Sequence, residues 1–419
     1  MDRKLHIKSA ISTNASWRRA VLSPDLVLAF LAAIVVLFFR MPERLIDGYL
    51  WAEDATVFIA QGFKLGARAI VTPYAGYLHI IPRLVVYIYQ IIGDVRHIPL
   101  AFAWSCALIT AAICACLYSI AARYLPRPGA FAAALAPVLI PHVSECWLNV
   151  TNLQWIAAPL LLAMLLDTLG REDDDFLGAR CGAIFLLSLT GAFSTVFMPL
   201  AIIGVVRFWR HANRGRRIAP FVVVILSGCI QLAVFKLLND RHPHHPLREY
   251  IGYFWAHSFF KNFVLDSLFD VQMITAIGSW WKPIAFVTAM VILVCMLSPK
   301  GRWRFVNAVL ILAAIGLWML GVVRTDAPAV DVQWFAVGVA RYTFMPLIFA
   351  VWALAIAAAR SPIVSARYVS VLVLAILFAN SATRFGSPTT LPEITALPDG
   401  GYAIQVAPGG PWHTTLAPR

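Results

Sequence analysis

Residues 98–122 read IPLAFAWSCALITAAICACLYSIAA, a run without one charged side chain that is closed by Arg123 and Arg127. As a helix rising about 1.5 Å per residue, such a run spans a hydrocarbon core of about 30 Å. A closed β-barrel would instead alternate apolar and polar residues over segments of about 10. The run is continuously apolar, so a membrane-spanning helix is the expectation. The same pattern recurs at 24–40, 129–141, 153–169, 178–190, 195–209, 218–238, 284–298, 305–323, 343–359 and 368–384. The sequence therefore predicts an all-α integral membrane protein with about 11 transmembrane helices, within a range of 10 to 13. Composition agrees: 60% of residues are hydrophobic and 13% charged, against roughly 45–50% apolar in soluble domains.

The net charge of +13 does not point to nucleic acid, because the basic residues sit in short connections and at helix ends. With a cytoplasmic N-terminus, Arg123 to Arg127, Arg207 to Arg217, Lys300 to Arg304 and Arg360 to Arg367 all fall inside, as the positive-inside rule requires. The basic segment before residue 24 and the span after it read as an uncleaved signal anchor. Residues 79–97 are apolar but interrupted by Pro82 and Arg83. Counting them as a span would turn two basic connections outward, so an interfacial or half-inserted helix is expected.

This assignment gives a polytopic domain over 1–384, with a first outer loop at 41–97 and a large outer loop at 239–283. A short extracytoplasmic tail follows at 385–419 and is too small for its own core. The tail, rich in Pro, Gly and Thr, is expected to form a small β element or lie extended. Most acids fall outside. Glu172 to Asp175 is the main exception and reads as a solvated turn. The seven cysteines lie mainly in apolar runs and read as packed thiols, without zinc-like spacing.

Chemistry concentrates in the outer segments. Glu53 and Asp54 form an adjacent carboxylate pair in the first outer loop, suited to accepting a proton from an attacking hydroxyl or to helping hold a divalent cation; capping of a helix near Ala55 is the structural alternative. Tyr74, Tyr77, His79 and Arg83 follow within one short run, where ring faces and donors can meet a sugar and a guanidinium fork can grip phosphate. Arg341 and Tyr342 stand at the outer end of a late span, against the charge bias, so Arg341 requires an acid or a lipid phosphate as partner. In Glu145 to Trp155, the residues Asn149, Asn152, Gln154 and Trp155 read as a carbohydrate-facing surface, with interfacial anchoring as the other explanation. His242 to His245 resembles a metal tract only in composition, and Asn149-Val150-Thr151 is a sequon too close to the membrane to be a good acceptor.

This arrangement resembles the GT-C superfamily of membrane glycosyltransferases, which use lipid-phosphate-linked sugars. The likeness lies in the acidic first outer loop (Glu53-Asp54), the juxtamembrane helical stretch Tyr77 to Ile92, the many spans and the outer Arg341-Tyr342. Asn149 to Trp155 and Thr190 to Ser194 stand in short outer turns, as in bacterial relatives. The resemblance implies a single displacement on the extracytoplasmic face of the plasma (inner) membrane. A sugar would move from a polyprenyl-phosphate donor to a glycan or glycolipid acceptor. Asp54 would be the base, Glu53 its helper or alternate, and Arg83 and Arg341, with Tyr342, the phosphate clamp. Tyr74, Tyr77, His79, Asn149, Asn152, Gln154 and Trp155 would face sugar or acceptor. The adjacent Glu-Asp departs from the spaced Asp-x-Asp form, so arginines rather than a cation at Glu53/Asp54 can balance the leaving phosphate. The rival reading is a lipid-linked glycan transporter or permease. It calls for ionisable residues in mid-span, and these spans carry few.

Overall fold

The computed structural model describes residues 23–141, 144–170, 176–211, 213–238, 245–269, 271–325, 340–386 and 389–418. Glu172 to Asp175, His242 to His244, Asp326, Asp331 and Trp334 lie outside them. The longer helices are α1 (Pro24–Arg40), α2 (Ile80–Ile92), α3 (Ile98–Ala121), α4 (Arg127–Leu139), α5 (Leu153–Gly170), α6 (Leu177–Ser188), α7 (Phe193–Phe208), α8 (Arg214–Leu238), α9 (Trp281–Leu297), α10 (Arg302–Arg324), α11 (Arg341–Arg360) and α12 (Val364–Ala382).

Each of the eleven expected spans coincides with one of these helices. Among the described residues, seven helices are long and apolar enough to cross a membrane: those ending at Ala121, Gly170, Leu238, Leu297, Arg324, Arg360 and Ala382. The chain is thus a multi-pass helical membrane protein. The remaining four, α1, α4, α6 and α7, have 17, 13, 12 and 16 residues. Helix α2 has 13 residues, about 20 Å of length, short of a full crossing.

Helix α11 is the hub, buried over most of its length and packed on α10, α12 and α4. Ala353, Ala355 and Ala357 keep its surface flat enough for close approach, which is how helices associate without a hydrophobic driving force. Polar side chains tie the neighbours to backbone carbonyls: Trp352 Nε1 donates to Ala133 O at 2.8 Å, and Asn307 Nδ2 to Met296 O at 2.6 Å and Ala353 O at 3.1 Å. A buried amide in lipid surroundings needs such partners, so these bonds fix the rotation of each helix.

The first outer loop is held by its own chemistry. Gly48 has φ +90°, and a Cβ there would stand 2.5 Å from Leu100 N, so only glycine lets the loop close onto the start of α3. Arg44 lies flat on Tyr49, 3.7 Å from the ring centre, and donates to Ser144 O and Trp147 O at 2.9 and 2.8 Å. That bond pair pins the 144–152 loop against the first.

The tail forms a three-stranded antiparallel sheet of β1 (Glu393–Ala396), β2 (Tyr402–Gln405) and β3 (His413–Leu416). Its inward residues Ile404, Val406 and Leu416 join Leu50, Ala55, Phe58, Ile59, Val85 and Val86 in one buried cluster. Ala52 N donates to Ala407 O at 2.6 Å. The tail therefore borrows its core from the first outer loop and covers it. The large outer segment 239–283 contributes a wide helical turn, Phe254–Leu265, and a helix, Val271–Ile277, leading toward α9.

Candidate active site

Asp54 opens a wide π-type helical turn, Asp54–Ile59, and is completely buried. Its Oδ1 accepts from Thr151 N at 2.8 Å and Thr151 Oγ1 at 2.6 Å, and its Oδ2 from Trp51 N at 2.9 Å. Burial pushes its pKa up to about 7 against the pull of those three donors, with a smaller upward push from Glu53. Both oxygens are engaged in joining the first outer loop to the 144–152 loop. Asp54 thus ties the two loops together, accepting two hydrogen bonds at Oδ1 and one at Oδ2.

Glu53, one residue earlier, differs. It is nearly buried, its Oε1 accepts from Tyr74 Oη at 3.2 Å, and its Oε2 has no hydrogen-bond partner. An unsatisfied carboxylate oxygen inside a protein costs on the order of 1–3 kcal/mol or more, so its retention points to a use. Glu53 and Arg341 lie within electrostatic reach of each other, and both act on Tyr74 and Tyr77.

Tyr74 and Tyr77 are brought together by a tight turn. Each donates its backbone N–H to the other's carbonyl, at 3.0 and 3.1 Å, while Ala75 and Gly76 take φ of 51° and 90°. Gly76 suits this left-handed region and Ala75 is strained there. His79 packs under both rings, with centroids at 5.9 Å from Tyr74 and 5.0 Å from Tyr77, and its Nε2 meets Tyr74 O at 3.2 Å. Burial drives its pKa down to about 3, so the ring is neutral and supports the turn. Burial also raises both tyrosines, which therefore remain protonated donors.

The expected turn Thr190 to Ser194 acts as scaffolding. Gly191 N donates to Leu78 O at 2.8 Å, Ile81 N to Thr190 Oγ1 at 3.2 Å, and Gln231 of α8 receives Leu78 N at 2.8 Å. Arg83 is 1% exposed, donates to Gln61 Oε1 at 2.6 Å and sits 4.6 Å from the Phe58 ring centre, with Nε and Nη1 unpaired. Burial lowers its pKa to about 10, which still leaves it charged at neutral pH. Among the described residues no ion pair joins Arg83 to Glu53 or Asp54.

Arg341 is the arginine that faces the site. Its backbone N–H donates to Glu145 Oε1, and its guanidinium lies 5.5 Å from the Tyr342 ring centre. Tyr342 in turn meets Trp155 edge-to-face at 5.4 Å, and Trp155 Nε1 is buried without a partner. Asn149 and Asn152 both donate Nδ2 to Glu145 O at 2.7 Å and are buried, so they shape the loop that presents Thr151 and Glu145, while Asn152 Oδ1 has no hydrogen-bond partner. Gln154 is nearly buried beneath Gly191, where a Cβ would stand 2.5 Å from its Oε1. Glu145, Thr151, Phe58 and Gln61 are parts of the site that the sequence reading passed over. The only signal for Glu145 was an outer acid beside an arginine in need of a partner.

Below Tyr342 the buried Trp318 is packed by the partly buried Phe259 and Phe263, with Phe263 and Trp318 centroids 5.2 Å apart. This packing leads to a groove of about 440 Å³ whose lining includes Phe259, Phe263, Met290, Leu293, Ile315 and Leu377, almost wholly apolar. Among the described residues no cluster of three or more His, Cys, Asp or Glu is arranged to hold a metal ion. His245, the described end of the histidine tract, pairs with Glu249 at 2.8 Å.

No family model matches this sequence, and no curated protein matches it. The fold is similar to that of the oligosaccharyltransferase of Archaeoglobus fulgidus, crystallised as a complex with Zn and sulfate, at a TM-score of 0.42 and 14% identity. The match covers 87% of this chain and 54% of that one, so this chain spans about half its length.

Proposed function

We propose that this protein is a membrane glycosyltransferase that moves a sugar from a polyprenyl-phosphate donor to a hydroxyl of a glycan or glycolipid. The face of reaction is the one opposite the basic connections, which the positive-inside rule makes extracytoplasmic at the plasma (inner) membrane. The observation that carries this reading is Glu53 Oε2, buried without a hydrogen-bond partner within electrostatic reach of Arg341. Glu53, rather than Asp54, is the base in this reading, because Asp54 already accepts three hydrogen bonds that join two loops, whereas Glu53 Oε2 accepts none.

In the step, Glu53 takes the proton of the acceptor hydroxyl as its oxygen bonds to the anomeric carbon. The bond from that carbon to the phosphate oxygen breaks, and polyprenyl phosphate leaves with its charge facing Arg341. Tyr77 donates to a sugar or phosphate oxygen, Tyr74 holds Glu53 through its own O–H, and Trp155 offers a ring face and an unsatisfied N–H. The prenyl chain fits the 440 Å³ apolar groove beyond Tyr342. Asp54 and Thr151 hold the loop that aims Glu53. Arg83, buried behind the tyrosine turn with two unpaired nitrogens, is a reserve of positive potential for a phosphate that penetrates that far.

The test is Glu53→Gln in cells, with surface glycans and glycolipids profiled at matched membrane abundance. Loss of a sugar modification supports transfer. A normal profile, where deletion of the whole protein alters it, removes the mechanism.

A further inference from the structure

The apolar groove beyond Tyr342 has two unlike sides. Its inner wall is α11, where Leu347, Phe349 and Leu354 are 1% exposed or less. Its rim is formed by Trp255 of the wide turn Phe254–Leu265 and by Phe286 and Met290 of α9, which line the groove and are also 45%, 53% and 41% exposed. Side chains that line a groove and stand open on a helix flank mark where the groove meets its surroundings. Val287, Val291 and Val294, exposed on the same helix, are apolar too, so that flank suits hydrocarbon rather than water. Along α9 the lining runs from Phe286 to Met296, about 15 Å, or half of a hydrocarbon core of about 30 Å.

The elements on either side of the rim are the least anchored walls of the groove. The wide turn is π-type over 12 residues, a geometry that is rare and recurs at functional sites. The helix that contains α9, Gln272–Leu297, is the least buried of the seven long helices among the described residues. Phe260 of the turn meets Phe286 of α9 across the rim, with ring centres 5.8 Å apart. Behind that pair, Trp255 to Phe259, Phe259 to Phe263 and Phe263 to Trp318 follow at 5.3, 5.6 and 5.2 Å, a track of rings from the rim inward. Phe259, Phe263 and Ile315 line the groove and also pack, with Tyr342, around the buried Trp318. The groove is therefore continuous with the residue next to Arg341.

We propose that the hydrocarbon chain of the lipid donor enters this groove sideways from the bilayer, through the seam between the wide turn and α9, with Phe260 and Phe286 as the gate. The proposal rests on the transfer reading above, which supplies the occupant: one long chain with a phosphate at its end. Threading such a chain end-on past Tyr342 would first draw it out of the bilayer and expose its apolar surface to water, whereas sideways entry never does. The lining asks for nothing but hydrocarbon. Ser267, the one hydroxyl on it, is already bonded to Phe263 O and Val264 O at 2.7 and 3.0 Å.

The test joins the two sides of the gate. Phe260→Cys and Phe286→Cys are combined in the purified full-length protein and linked by a short bis-maleimide, with wild type treated in parallel because its own cysteines also react. Decaprenyl phosphate or phosphatidylglycerol is added before or after linking, and retained lipid is counted by native mass spectrometry. Linking first is expected to lower retained decaprenyl phosphate by about tenfold or more, and linking after loading to hold it through a wash that empties the unlinked protein. Treated wild type should load and empty as before. Phe286→Ala, which takes one ring from the gate, is expected to speed loading and emptying severalfold; unchanged rates overturn the proposal even where the double variant does not fold. Loading indifferent to the link overturns the route and leaves the donor reading standing, whereas a wild type that retains no decaprenyl phosphate removes both. Equal retention of phosphatidylglycerol overturns the donor chain as the occupant.

Discussion

Replacing Asp54 by Asn tests the role assigned to it as a tie between loops. In the folded protein its pKa is raised from 3.8 to about 7, first by burial. The folded state therefore holds a proton that the unfolded chain has released between those pH values. Stability contributed by this group is then highest below about pH 4, falls by about 1.4 kcal/mol per pH unit and levels off above pH 7, a total of about 4 kcal/mol. From pH 5 to pH 8 the loss is about 3 kcal/mol. Asn cannot ionise, so Asp54→Asn removes that slope. At pH 5 the variant is less stable than wild type by about 1–3 kcal/mol, because an amide nitrogen replaces an acceptor facing Trp51 N–H or the Thr151 donors. The gap closes or reverses by pH 8. Asp266, also raised to about 7 by burial, adds the same trend to both proteins, so the quantity to follow is the difference between them. Thermal unfolding in detergent across this range gives it directly. A constant difference from pH 5 to pH 8 would refute the account of Asp54.

Arg341→Ala should weaken binding of a polyprenyl phosphate by about 1.5–3 kcal/mol, roughly 10- to 150-fold in Kd by titration, since a charge-assisted contact is lost; an unchanged Kd removes the clamp. Ala289→Phe fills part of the apolar groove. Excluding even two methylenes, at about 0.8 kcal/mol each, should weaken a long-chain polyprenyl phosphate more than about tenfold and leave a short-chain analogue untouched. Leu416→Ala removes a buried anchor of the tail sheet at a cost of about 2–5 kcal/mol. Because Ala52 N donates to Ala407 O, amide exchange at Ala52 should accelerate while exchange in α11 stays slow. Exchange unchanged at Ala52 would mean that the tail does not support the loop.

The helices were legible because each follows from a local run of apolar residues ended by basic ones, as at residues 98–122. Their lengths were less so: α4 and α6 are cut short by turns that hydropathy alone does not locate. The convergence of the first outer loop with Arg341 was only partly readable. Periodicity carries no information about Thr151 reaching Asp54 across 97 residues of chain, or about Glu145 receiving the N–H of Arg341. Asn149 and Asn152 read as sugar ligands because amides serve both sugars and backbone, and only the fold shows that each also donates to Glu145 O. The same holds for Glu53 and Asp54: adjacent in sequence, they differ in partners supplied from elsewhere. The tail's sheet was the least legible, since its stability comes from Phe58, Val85 and other residues more than 300 positions away.

The central claim is that Glu53 takes the proton in a sugar transfer. The direct measurement compares surface glycan and glycolipid profiles of cells carrying wild type, Glu53→Gln and Asp54→Asn, with membrane abundance matched by immunoblot. The account predicts that Glu53→Gln keeps wild-type stability and lowers transfer by about 10²- to 10⁴-fold, the range of general-base catalysis. It predicts residual transfer in Asp54→Asn in proportion to the folded protein present. Full transfer by Glu53→Gln, together with a complete loss in well-folded Asp54→Asn, would contradict it and return the base to Asp54.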